Sequence, residues 1–147
     1  MSAIDDSTTS FRARLDSFYE AEQRYVEAGG AKAGADFSEM ASHLHPQVVG
    51  RQGPSLPYPG EWRGVAGFER FFALFSATWS SLELSQTQYF EGEAGLAIQM
   101  RMRATSVATG KVIDTLVGHF ITFENGLIRE INVYYADPVQ VGRATRP

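Results

Sequence analysis

The sequence predicts an α+β fold, in which three N-terminal helices are wrapped by a cone-shaped, curved antiparallel sheet. Before Ser80, apolar residues recur at three- and four-residue steps, the spacing of helices that bury one face. After Ser80 no comparable stripe returns, and Ile98, Met100 and Met102 alternate with Gln99, Arg101 and Arg103, the period-two pattern of a strand with one wet face. Glycine-marked turns divide this second half into four strands, so helices and strands are segregated along the chain.

Ser7 to Ser10 offers N-cap residues for a first helix from about Thr9 to Ala28, with Phe11, Leu15, Phe18, Tyr19 and Val26 on its apolar face and Gly29, Gly30 and Gly34 ending it. Asp36 with Glu39 is an acidic variant of the capping box. It predicts a shorter second helix bearing Phe37, Met40, Ala41 and Leu44 and stopping at His45-Pro46. Gln47 to Arg51 is a candidate strand. Gly53 to Gly60 holds three prolines and two glycines and reads as a loop flanked by Tyr58 and Trp62. From Val65 a third helix carries Phe68, Phe71, Phe72, Phe75 and Trp79 as one aromatic stripe. The strands that follow are Glu83 to Phe90, the segment around Met100, Val112 to Phe123 and Leu127 to Ala136, the last two joined by the turn Glu124-Asn125-Gly126.

At 147 residues one domain is expected, with an ordered core at about 9–137 and short tails. Thirteen Lys and Arg against 17 Asp and Glu leave a net charge of −4 with no basic stripe, which argues against nucleic acid. No apolar run reaches the ~20 residues of a membrane span. Met1 to Ser10 lacks both a cationic region and an apolar core, so no secretory signal is expected and the location is expected to be cytoplasmic. The absence of cysteine excludes disulfides, thiolate metal sites and a thiol nucleophile. Ten Phe, 6 Tyr and 2 Trp in so short a chain suggest an apolar space being lined, and a small-molecule partner.

The order of elements, Trp62-Arg63-Gly64 leading into the aromatic helix, the hairpin His119 to Ile128 and the closing Tyr134-Tyr135-Ala136-Asp137-Pro138 together resemble the nuclear transport factor 2-like superfamily, and within it the SnoaL-like polyketide cyclases. The resemblance covers nearly the whole chain. It implies a cystatin-like α+β barrel with a hydrophobic cone cavity, and a cyclase, isomerase or dehydratase acting on a polyketide- or terpenoid-like molecule with no cofactor. A non-catalytic binding protein of the same fold is the alternative. Positions where relatives carry acids hold other residues: Arg51 stands at the isomerase base, and Met102 and Val133 at the carboxylates of the epoxide hydrolases. The resemblance also turns His119 inward, at the place of the isomerases' oxyanion-stabilising acid.

His119 is therefore a candidate proton carrier, or a core histidine satisfied by a carbonyl or a tyrosine. Tyr19 and Tyr135 are candidate hydrogen-bond donors to a bound oxygen, or packed rings with hydroxyls in water. Arg51 could pair with a ligand anion or point outward. Glu61, in the loop, is a substitute acid or a solvated charge. Tyr58, Trp62, Phe72, Phe75, Trp79, Met100, Met102, Val117 and Val133 are expected to shape the pocket. His43 and His45 have no carboxylate placed to complete a metal triad, so no metal site is expected. With His119 inward, Leu116, Phe120, Ile128 and Tyr134 would face out beside Arg101 and Arg103, which predicts a homodimer through that sheet face unless the C-terminal tail covers it.

Overall fold

In the computed structural model, which describes residues 10–147, Ser10 caps helix α1 (Phe11–Glu27) by accepting the Ala13 amide on its Oγ. The earlier N-cap candidates and the segment read for a secretory signal lie outside the described residues, apart from Ser10 itself. Leu15, Phe18, Tyr19, Tyr25 and Val26 are buried along one face of α1, as their spacing requires. Gly29 and Gly30 then adopt φ of 93° and 66°, conformations that L side chains resist, and the helix ends. A single 3₁₀ turn, Ala31–Ala33, follows.

Helix α2 (Ser38–Ala41) is one turn, shorter than the spacing predicts. Asp36 lies one residue before the cap position, Phe37, and accepts the Ser38 amide and hydroxyl, while Glu39 pairs with Arg24 instead of closing the box. Leu44 belongs to strand β1 (Leu44–Gln52), where it pairs with Ile128. Ser42 and His43 form a turn, so the helical stretch ends before the Pro46 expected to stop it. The Pro-rich loop leads into a short strand that the sequence did not reveal, β2 (Gly60–Arg63), antiparallel to β1.

Helix α3 (Gly64–Thr78) buries Phe68, Phe71, Phe72 and Phe75. Trp79, the last member of the predicted stripe, is the first residue of strand β3 (Trp79–Glu91) and is fully buried there. Strands β4 (Gly95–Ser106), β5 (Val112–Glu124) and β6 (Leu127–Tyr135) continue the sheet. Its order is β2-β1-β6-β5-β4-β3, six strands in a curved sheet that does not close, antiparallel except where β1 runs parallel to β6. Register shifts in β3 between Ser85 and Gln88, with Gln86 at φ 53°, and between Thr122 and Phe123 bend the sheet around α1 and α3.

The second shift also moves Ile128 from the outer to the inner face. It is fully buried, whereas the sequence reading placed it outside. Residues past Asp137 are not a loose tail either: Asp137 caps helix α4 (Pro138–Ala144), whose Val141 is fully buried and whose Gln140 accepts the Asp114 amide. Phe120 and Tyr134 remain exposed all the same, their rings edge to face at 5.7 Å.

Candidate functional site

The concave side of the sheet and the helices laid across it enclose a cavity with about 630 Å³ of empty space, mouth included. Its enclosed part has room for roughly four to six waters, or roughly 120–180 Å³ of liquid-like contents. Phe68, Phe71, Phe72 and Phe75 of α3, Phe18 of α1 and Trp62 of β2 form an aromatic wall, facing Leu82, Leu84, Met100, Met102, Val117, Ile131 and Val133 of the sheet. The size matches a one-ring molecule.

Polar groups reach this space at few points. His119 stands opposite Val133 in the β5–β6 pair, and the accessible part of its ring lies against the cavity. Its Nδ1 is 2.5 Å from the hydroxyl of Tyr19, on the neighbouring α1. Burial pulls the imidazole down to about 4, so it is neutral at pH 7. Tyr19 is pushed well above the ordinary phenol value, first by burial and then by the negative charges of Glu22, Tyr89 and Asp16. Tyr135, on β6 opposite Val117, is raised by burial and by Tyr58, whose hydroxyl lies 2.8 Å from its own.

The sequence reading missed Glu22. It occupies the apolar stripe of α1, three residues after Tyr19 and four after Phe18, so the helix that buries those rings carries the carboxyl in with them. Glu22 is 8% exposed, lines the cavity and has no hydrogen-bond partner among the described residues. Burial raises it to about 8, so at neutral pH it is mostly the protonated acid. A Glu inside a run of core positions was the available signal. Gln52 also faces the cavity, its buried Oε1 without a partner among the described residues. At pH 7 the cavity is thus lined by neutral donors and acceptors.

Four sequence candidates lie elsewhere. Strand alternation turns Gly50 and Gln52 inward and Arg51 outward, where its guanidinium pairs with Glu61 and Glu130 at 3.1 and 2.9 Å and with Asn132 at 3.0 Å. Glu61 is thereby committed to Arg51 and Arg63. Tyr58 and Trp79 sit behind the wall: Tyr58 is fully buried against Phe71 and Phe75, and Trp79 Nε1–H donates to its hydroxyl at 3.2 Å. Tyr19, Trp62, Phe72, Phe75, Met100, Met102, Val117, His119, Val133 and Tyr135 all line the cavity. His43 and His45 part company, His43 against Arg14 and His45 against Glu124.

Residues 23–131 match the family model of the SnoaL-like domain. No curated protein matches the chain. Among solved structures, an NTF2-like protein from Burkholderia thailandensis shares 18% identity over 94% of this chain and 98% of its own, with a TM-score of 0.78. TerC, co-crystallised with polyporic acid, shares 16% over 92% and 97%, at 0.76. A candidate polyketide cyclase from Xanthomonas campestris pv. campestris shares 16% over 93% and 100%, at 0.67. Identities this low show a common fold.

Proposed function

We propose, since the chain belongs to the SnoaL-like domain family, that its cavity carries out acid–base chemistry on an uncharged, apolar, oxygenated small molecule, as a cyclase, isomerase or dehydratase. The observation that carries this reading is Glu22, a buried carboxyl unpaired among the described residues and facing the same space as the Tyr19–His119 pair. A carboxyl buried without a partner is costly to the fold, which makes a chemical role the better account of it. Glu22 near 8 can give its proton to a carbonyl or a departing hydroxyl. With a proton on Nδ1 donated to the Tyr19 oxygen, His119 Nε2 presents a lone pair, and Tyr19 keeps its own proton for a developing oxyanion. The proton lost from substrate carbon goes to Nε2, and the one gained on oxygen comes from Glu22 or Tyr19. A base near 4 is weak, so the substrate is a molecule with an acidic C–H, such as a methylene between two carbonyl groups. The name of one neighbour, a polyketide-cyclase candidate, supports such a ligand.

The test is turnover across small aryl 1,3-diketones, which stay uncharged at pH 7. Glu22→Gln and His119→Ala are each expected to lose about 10²-fold or more in kcat while ligand still binds. A second reading, a binding protein without chemistry, is favoured by the depressed basicity of His119. Binding across the panel with no turnover would establish it.

The outer sheet face suits a homodimer. Phe120 and Tyr134 supply an exposed apolar centre, and Arg101 and Arg103 beside Asp114 supply both signs of charge, as a two-fold, self-complementary contact requires.

A further inference from the structure

We propose that Trp79 and Tyr58 are positioning residues that turn the hydroxyl proton of Tyr135 into the cavity, so that the ligand places a hydrogen-bond-accepting oxygen, a carbonyl or ether, at that point. The proposal rests on the cavity being the ligand site and adds which chemistry it reads there.

Proton accounting carries the argument. An indole N–H only donates, so the 3.2 Å contact from Trp79 Nε1 to Tyr58 Oη occupies a lone pair of Tyr58. Tyr58 is fully buried, and its hydroxyl meets only Trp79 and, at 2.8 Å, Tyr135 among the described residues. Its single proton has one acceptor available, the oxygen of Tyr135. Running that bond the other way would leave the Tyr58 O–H buried with nothing to donate to, the arrangement folded proteins avoid. Tyr135 accordingly accepts from Tyr58 and keeps its own proton. No other protein group among the described residues takes it, and the residue lines the cavity. A chain of donors pointing one way also strengthens the last of them.

Register separates this donor from the acid–base pair. Val117 pairs with Tyr135 and His119 with Val133, a two-residue step of roughly 7 Å along the strands. The two sites can therefore be perturbed independently.

Acetophenone and ethylbenzene are one-ring molecules that differ chiefly in the carbonyl oxygen, so their binding to the purified protein by equilibrium dialysis reads donation to that oxygen, and Tyr135→Phe assigns it. The wild-type chain should prefer acetophenone by about three- to tenfold. The infrared carbonyl band of the bound ketone should move to lower wavenumber than in hexane. Tyr135→Phe should bring the preference close to one and abolish the shift. Tyr58→Phe keeps the ring and its packing, and should reduce both the preference and the shift. Arg51→Ala, whose guanidinium pairs with Glu61 and Glu130 on the outer side of β1, should leave both unchanged. If Tyr58→Phe, with its unfolding midpoint retained, shows the wild-type preference and band, the relay is wrong. Should Tyr58→Phe not fold, an unshifted band in the wild-type chain, or a shifted band surviving in Tyr135→Phe, overturns the proposal equally. Equal binding of the two probes sinks the relay alone, whereas binding of neither sinks the cavity reading with it.

Discussion

Replacing Glu22 by Gln should stabilise the protein, and by more as the pH rises. In the folded chain the carboxyl is held near 8 by burial, against 4.5 when solvated. Between those values the unfolded chain releases a proton that the folded chain retains, so the folded state binds more protons and loses stability as pH increases. The advantage of the protonated, buried acid is fully present below pH 4.5 and gone above about 8. At about 1.36 kcal/mol per pKa unit, the penalty is about 1 kcal/mol at pH 5, about 3 at pH 7 and about 5 at pH 9. Gln has nearly the shape and hydrogen-bonding capacity of the protonated acid and cannot ionise, so the variant escapes the penalty.

His119 acts in the opposite sense. Its value is depressed to about 4, so the unfolded chain binds the extra proton and stability is lost as pH falls from 6.5 toward 4. The two contributions oppose each other between about pH 4.5 and 6.5, and above 6.5 Glu22 acts alone. Guanidinium unfolding of wild type and Glu22→Gln at pH 5, 7 and 9 isolates the carboxyl, because every other titration cancels in the difference. A difference that stays constant with pH would refute the reasoning, since it would mean that Glu22 ionises in the folded protein as it does in water.

Gly95→Ala should cost about 3 kcal/mol or more in chemical unfolding, because its Cβ would stand 1.9 Å from the Ile121 carbonyl oxygen, and backbone cannot step aside. Gly50→Ala should cost less, since its Cβ meets the tip of the Phe68 ring at 2.9 Å, and that ring can turn into the cavity; acetophenone binding should weaken instead. Phe120→Lys combined with Tyr134→Lys should sediment at 16.2 kDa where the wild-type chain sediments at twice that mass; a wild-type monomer would end the dimer proposal. Arg51→Ala should leave acetophenone binding unchanged within about twofold, because its ion pairs lie on the far side of β1 and are partly solvated.

What could be read from the chain was whatever local periodicity or turn chemistry determines. Asn125 and Gly126 adopt φ of 54° and 78°, the left-handed pair that an Asn-Gly hairpin demands, and the inward alternation of Ile98, Met100 and Met102 follows from strand geometry alone. The resemblance supplied the inward turn of His119. What escaped depends on contacts distant in sequence. Strand β2 is too short to show a pattern, and exists because Glu61 and Trp62 find Arg51 and Gly50. Ile128 faces inward only because one residue is inserted near Arg129. Relatives carry their acids at other positions, so the resemblance did not point to the carboxyl of Glu22 on the first helix.

The placement of charge bears on specificity as well as stability. Gly50, Arg51 and Gln52 are consecutive on one strand, yet the guanidinium is on the far side, balanced by Glu61 and Glu130, while the cavity side receives a hydrogen and an amide. Inside, Glu22, His119, Tyr19 and Tyr135 are all uncharged at pH 7. A carboxylate or phosphate entering this space would surrender its hydration and meet no cation, whereas a ketone or phenol would give up little and find oriented donors. Turning Arg51 outward therefore works against charged ligands, and the same dry surroundings that make Glu22 expensive at high pH keep it loaded with the proton it would deliver.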